Sequence, residues 1–183
     1  GIMVGSLCNA GTSFVKLVAD PTDQLPAITY WLMGSLSGLT WKSILMILPP
    51  LLLGIVPLYL VRWKIDLLCL GDEEAKVLGL DTERIRRIII LCSTLATSSI
   101  IASCGMIGWV GLVVPHLARR LVGDGNRKVI PLSMLIGAIF LLLVDDFARC
   151  LLKSEIPIGI LTSFIGAPFF IFLMFKKEAG HEH

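Results

Sequence analysis

The sequence has few charged residues for its length, and this scarcity indicates what class of protein it is. Only 16% of the 183 residues are charged, against roughly a quarter in an ordinary soluble domain, and 55% are apolar. A formal net charge of +2 is too small to favour nucleic acid as a partner. These values exclude an ordinary soluble domain and predict a membrane protein.

Motifs for metal, disulfide and nucleotide chemistry are also missing. The five cysteines stand singly without a CxxC pair, which favours small buried side chains over disulfides or ligands. His181 and His183 have no companions at ligand spacing, so no metal site is expected. Without a GxxxxGK[ST] loop the chain should bind no ATP and carry no cofactor of its own. The chain begins with Gly1 inside an apolar segment that has no signal-peptide features, and we expect that it starts partway through a longer protein.

Six apolar stretches predict an all-α, polytopic membrane bundle that forms one domain over residues 1–183. They run over Gly1–Val18, Ile44–Val61, Ile88–Cys104, Met106–Ala118, Val129–Val144 and Ile158–Phe175. A seventh, Ile28–Leu39, is too short to span and is expected at an interface.

Basic residues predict the orientation of these segments, because short cytoplasmic loops concentrate lysine and arginine. Twelve of the 16 basic residues fall after the second, fourth and sixth stretches: Arg62, Lys64, Lys76, Arg84, Arg86, Arg87, Arg119, Arg120, Arg127, Lys128, Lys176 and Lys177. This alternation predicts a cytoplasmic insert at residues 62–87 and a cytoplasmic C-terminus.

The fourth stretch is short and rich in helix breakers. Gly105, Gly108, Gly111 and Pro115 weaken or kink a helix, and irregular backbone at membrane depth survives only where protein or a water-filled cavity covers it. The stretch is therefore either part of a translocation pathway or a place where small residues allow close helix packing.

The insert at residues 62–87 is the longest polar segment between apolar stretches. Asp72 or Gly71 can cap a short helix, Gly79 can end it, and Asp81 can open a second helix that runs into the next span. The pattern is compatible with a small helical knob that has an apolar ridge at Ala75, Leu78 and Leu80, but the helix signals alone favour a plain amphipathic connector.

Three motifs carry a family resemblance. GDEEAKVLGL, GMIGWVGLVVPHLARRLVG and IPIGILTSFIGAPFFIFLMFK occur in the order and spacing of the permease subunits of type II ABC importers for iron-siderophores, haem and cobalamin. The chain resembles spans five to ten of such ten-span permeases. The resemblance implies a bacterial plasma (inner) membrane protein and leaves the choice among ferric siderophore, haem and cobalamin open.

The resemblance also implies roles for individual residues. Gly71, Asp72, Glu73, Ala75, Leu78 and Gly79 correspond to the element that couples the permease to a cytoplasmic ATPase, which consumes the ATP. Arg149 corresponds to a residue that docks an external substrate-binding protein, although an ion pair with Asp145 or Asp146 fits it equally. The implied partners are a second permease copy, two ATPase subunits, the binding protein and the bilayer.

The pathway is expected between two permease copies, lined by the first, fourth and sixth stretches. Its candidate residues are Ser6, Asn9, Ser13, Gly108 and Gly111. Small polar residues on the first stretch could instead hold helices together.

Two other function classes compete with the importer. The first, an ion-driven secondary transporter, would need acidic residues deep in the spans. The second, an intramembrane protease using Asp145 and Asp146, is disfavoured because adjacent residues on one helix point apart by about 100°.

Overall fold

The protein is described by a computed structural model that covers residues 1–36, 38–151 and 156–178. Its helices are α1 (Ile2–Val18), α2 (Gln24–Met33), α3 (Trp41–Leu68), α4 (Asp72–Val77), α5 (Thr82–Cys104), α6 (Val110–Val122), α7 (Asn126–Leu151) and α8 (Ile158–Glu178). No strand occurs within these ranges, so the prediction of an all-α fold is confirmed.

Three of the described helices are long and apolar enough to cross a membrane. They are α3, α5 and α7 over Asn126–Cys150, with mean hydropathies of 2.4, 1.6 and 2.1. Helix α1 and the apolar segment Ile158–Phe169 of α8 are shorter. The chain is therefore a multi-pass membrane protein, and each predicted apolar stretch corresponds to a helix.

The long helices extend beyond the apolar stretches that predicted them. Helix α3 has 28 residues and contains Pro49, Pro50 and Pro57. Prolines are tolerated in membrane helices because neighbouring helices can satisfy the carbonyl groups that proline leaves free. Here α3 packs along α5, and Gly54 lies so close to Cys92 and Ala96 of α5 that a methyl group would not fit.

Helices α6, α7 and α8 form the other half of the bundle, and α7 also contacts α3. A small buried cluster of Val144, Ala148 and Ile158 joins α7 to α8. Most large apolar side chains elsewhere in the described bundle are exposed, among them Leu45, Leu53 and Leu142. This distribution suits helices whose outer faces contact lipid rather than water.

The fourth apolar stretch differs from its predicted bounds. Residues 105–109 are not helical, and α6 begins only at Val110 and has 13 residues, fewer than the roughly 20 that a straight crossing needs. Trp109 has a φ of 66°, the only positive φ at a non-glycine residue in the described ranges. The predicted short and irregular segment is therefore present, and its irregular part precedes the helix.

Three glycines bring the ends of α2, α5 and α8 together, and we call them the glycine junction. Gly34 follows α2, Gly105 follows α5, and Gly159 is the second residue of α8. Ser35 N donates to the Cys104 carbonyl at 2.8 Å, and Gly159 N donates to the Gly34 carbonyl at 3.4 Å. The segment predicted to lie at an interface is thus attached to the bundle through Gly34 and Ser35, directly after α2.

Candidate functional site

The polar insert folds into a short helix whose two ends are fixed by glycine. Gly71 precedes α4 with a φ of 126°, and a methyl group there would overlap the Glu74 carboxylate. At the other end, Leu80 N donates to the Ala75 carbonyl at 3.0 Å, and Gly79 N donates to the Lys76 carbonyl at 2.9 Å. This pair of bonds around a residue with φ of 82° is a Schellman motif, which requires a left-handed residue at the position of Gly79.

The second helix of the insert begins as the sequence predicts. The Asp81 carboxylate accepts a hydrogen bond from Arg84 N at 3.0 Å and so caps the start of α5. Arg86 of α5 donates to both carboxylate oxygens of Asp72 at 2.7 and 3.0 Å. The pair links α4 to α5, but because both side chains are about half exposed it contributes little to stability.

The exposed surface of the knob differs from the predicted ridge. Ala75 is fully buried, so its side chain does not belong to the ridge predicted from Ala75, Leu78 and Leu80. The exposed apolar side chains are Val77 at 87% and Leu78 at 59% of their accessible area. Helical spacing from Ala75 does not identify Val77 as part of the exposed surface. The sequence feature that could have identified it is its position next to Leu78, at the end of α4.

Charged side chains surround these two apolar residues. Glu73, Glu74 and Lys76 are exposed, and none of them forms an ion pair with another described residue. We call Glu73, Glu74, Lys76, Val77 and Leu78 the knob surface. It has an apolar centre and a charged margin, which is the usual composition of a docking surface for a partner protein.

A contact that sequence reasoning missed anchors the base of the insert. Asp66, near the end of α3, accepts a hydrogen bond from Asn126 N at 2.7 Å, and Asn126 is buried. The Asp66 carboxylate thereby satisfies a free amide at the start of α7. No local signal could have identified a pair separated by 60 residues in sequence. The insert is therefore connected to α7 as well as to α3 and α5.

The candidate docking residue Arg149 lies near the end of α7. Its Nε donates to Asp145 Oδ2 at 2.9 Å, at i, i+4 spacing. About half of the Arg149 side chain is exposed. The local ion pair is therefore present, and a role in docking a binding protein stays a prediction.

The candidate pathway residues do not converge. Helix α1 has no buried residue, so Ser6, Asn9 and Ser13 stand on an exposed helix. Gly108 lines an apolar cavity of about 800 Å³ formed by the end of α2, the segment before α6, and α8. Gly111 has open space around it and does not line that cavity. This cavity lies within one chain, between α2, the segment before α6, and α8, so the pathway expected between two permease copies stays a prediction.

The backbone around this cavity is strained where it meets α8. A methyl group on Gly166 would overlap Trp109 Cβ and lie 2.9 Å from Trp109 Cγ. The close approach of α8 accompanies the positive φ of Trp109, a conformation that costs of order 1–3 kcal/mol and persists only where packing enforces it. The bend at Trp109, directly after the cavity residue Gly108, is therefore held in place by packing against α8.

Comparison with known proteins identifies a family. The model of the "FecCD transport family" matches residues 1–176. The molybdate import system permease protein MolB of Haemophilus influenzae Rd is 41% identical over 98% of this chain and 53% of its own length. The Fe(3+)-citrate import system permease protein YfmE of Bacillus subtilis 168 is 42% identical over 98% of this chain and 53% of its own length.

The fold agrees with a solved relative. A metal-chelate type ABC transporter in an inward-facing conformation superposes with a TM-score of 0.91 and 40% identity, over 96% of this chain and 57% of that one. The chain spans about half the length of the curated relatives it matches.

Proposed function

Because this chain belongs to the FecCD transport family, we propose that it forms part of the permease subunit of an ATP-binding-cassette importer. The importer moves a metal-containing cargo across the plasma (inner) membrane. Energy comes from a separate ATPase subunit, and this chain supplies the membrane passage and the surface on which the ATPase acts. It is a transport subunit rather than an enzyme.

The knob surface is the observation that carries the coupling role. Val77 and Leu78 are exposed at the end of a helix that Gly71 precedes and the Gly79 turn ends, and Ala75 anchors the helix by burial against the bundle. A rigid knob can transmit movement of a partner because it does not deform when pushed. The hydrogen bond from Asn126 to Asp66 extends this rigid connection to α7.

The assembly we propose has two permease copies, two ATPase subunits on the cytoplasmic side and one substrate-binding protein outside. The alternation of basic loops supports a cytoplasmic knob and a cytoplasmic C-terminus. Arg149 then lies at the outer end of α7, where the binding protein would dock. We propose no nucleic acid as a partner of this assembly.

The names of the relatives widen the range of cargo. They include permeases for molybdate, Fe(3+)-citrate and cobalamin. We propose a metal-containing chelate or oxyanion as the cargo class. The ion-driven alternative finds no support among these relatives, several of which are named as subunits of import systems.

The test reverses the charge of the knob surface. The double variant Glu73→Lys, Glu74→Lys, made in the full transporter, should weaken binding of the ATPase subunit by more than about tenfold, because like charges placed against a complementary margin cost several kcal/mol. Uptake of cargo into proteoliposomes should fall with it. Co-purification and ATP-driven uptake are the two measurements.

Glu83→Lys is the matched control. Glu83 is an exposed carboxylate on α5, close in sequence to the knob but outside its surface. The Glu83→Lys variant should keep ATPase binding and uptake within about twofold of the original protein, because substitutions of surface charges away from contacts usually have small effects. Unchanged uptake and normal ATPase binding in the double variant would refute the coupling role of α4.

A further inference from the structure

A small pocket lies where the apolar part of α3 ends and α7 begins. It has a volume of about 320 Å³ and is lined by Tyr59, Leu60, Arg62, Trp63 and Arg127. Two arginines and two aromatic rings therefore meet at one edge of the bundle. The proposed import function assigns no role to this place.

Arg62 lacks an anionic partner within the described residues. Its guanidinium lies over the Tyr59 ring, 3.9 Å from the centroid, and its Nη1 is buried without a hydrogen-bond partner. A buried, unsatisfied charged donor is costly and calls for an acceptor that the described residues do not supply. Asp66 is one turn further along α3, but it caps α7 and forms no ion pair with either arginine among the described residues.

The position of the pocket indicates where that acceptor comes from. Arg62 directly follows the apolar run of α3, so it lies at the edge of the hydrocarbon region. Trp63 is half exposed and has the Lys64 ammonium 5.5 Å from its ring, an arrangement typical of the membrane interface. Phospholipid phosphates occupy this depth, and basic pockets between membrane helices on the cytoplasmic side bind anionic headgroups.

The size and lining of the pocket fit such a group. Its volume corresponds to roughly ten water molecules, which is enough for a phosphate with part of a glycerol. The arginines can donate paired hydrogen bonds to phosphate oxygens. Leu60 is 68% exposed and offers an apolar surface to the start of an acyl chain. A free phosphate ion could use the arginines but not this apolar surface.

We propose that this pocket binds the phosphate headgroup of an anionic phospholipid from the surrounding bilayer. The bound lipid neutralises Arg62 and bridges α3 to the start of α7. The proposal rests on membrane insertion alone and stands whether or not the chain takes part in import.

The experiment titrates the full-length protein, purified in its native assembly and stripped of lipid, with phosphatidylglycerol and with phosphatidylcholine, followed by native mass spectrometry. The double variant Arg62→Gln, Arg127→Gln should bind phosphatidylglycerol about thirtyfold more weakly, since each basic residue near an anionic headgroup contributes about fivefold. Binding of phosphatidylcholine should change much less. Equal affinity of the double variant and the original protein for phosphatidylglycerol would overturn the proposal.

Two further variants keep the test independent of folding. Arg127→Gln alone changes only an exposed side chain and should weaken binding about fivefold. Arg119→Gln, Arg120→Gln removes two exposed charges from α6, outside the pocket, and should have little effect. If this control loses as much affinity as the pocket variant, general charge explains binding and the specific site is refuted.

Two remaining outcomes would assign the pocket to another ligand. Displacement of phosphatidylglycerol by millimolar inorganic phosphate would make a soluble anion the occupant and refute the lipid. Loss of the ATPase subunit from the pocket variant, with lipid binding unchanged, would make the pocket a protein contact and refute it as well.

Discussion

A methyl group at Gly105 should destabilise the protein strongly, and the reason can be separated into two parts. Gly105 has a φ of 71°, which costs an alanine about 1–2 kcal/mol. The added methyl would also overlap the Trp31 carbonyl oxygen and lie 3.1 Å from Gly34 Cα, and overpacking of this kind costs about 1–3 kcal/mol. Gly105→Ala should therefore lower the free energy of unfolding by about 2–5 kcal/mol.

Three other glycines isolate these two contributions. Gly123 has a φ of 80° but open space around it, so Gly123→Ala should show the backbone strain alone. Gly159 has no positive φ, but a methyl there would overlap the Met33 carbonyl oxygen, so Gly159→Ala should show overpacking, partly offset by up to about 1 kcal/mol of helix propensity. Gly108 has neither feature, and Gly108→Ala should be neutral or slightly stabilising.

The assay is the thermal unfolding midpoint of each variant of the full-length protein in lipid nanodiscs. At about 2–4 °C for each kcal/mol, Gly105→Ala should lower the midpoint by about 4–20 °C, and Gly108→Ala should leave it nearly unchanged. Equal midpoints for these two variants would show that the close backbone approach at the glycine junction does not exist in the folded protein.

Three further predictions concern single side chains. Asp66→Ala removes the cap of α7 and should lower the free energy of unfolding, measured with a chemical denaturant, by about 1 kcal/mol. Asp124→Ala, in an exposed loop, should leave it almost unchanged, and equal losses in the two variants would refute the cap. Arg149→Glu should weaken docking of the binding protein, and an unchanged affinity in a pull-down titration would remove that role. The Thr22 hydroxyl lowers the pKa of Asp20, so Thr22→Val should raise that pKa in an NMR titration. Because the folded-state pKa is the lower one, the stabilisation by Asp20 is present above its unfolded pKa and is lost as the pH falls through the folded value; an unchanged pKa would contradict this.

Local signals in the sequence predict the insert well. Gly71, Gly79 and Asp81 mark helix ends because their conformations or side chains act on neighbouring backbone groups, and α4 and α5 begin and end accordingly. The pair of Asp145 and Arg149 follows from helical spacing alone. Features that depend on a few adjacent residues can therefore be predicted from the amino-acid sequence.

Features that depend on distant segments cannot be predicted in this way. The sequence predicts that the fourth apolar stretch is irregular but not where its helix begins; α6 begins at Val110, because contacts with α2 and α8 hold residues 105–109 out of a helix. Burial of Ala75 depends on how α4 packs against α3 and α5, which helical spacing does not reveal. The bond between Asp66 and Asn126 likewise joins segments whose proximity only the tertiary fold creates.

The glycine junction also constrains the order in which the protein folds. The segment after α2 must wait for residues far along the chain, because its contacts are with Gly105 and then Gly159. The knob, by contrast, closes through contacts within one short segment and can form soon after it leaves the ribosome. Until α8 is inserted, the Gly34 carbonyl lacks its bond from Gly159, so the junction is completed only after the last described helix has been made. A side chain at Gly159 would therefore interfere with the last step of assembly and leave the earlier helices free to form.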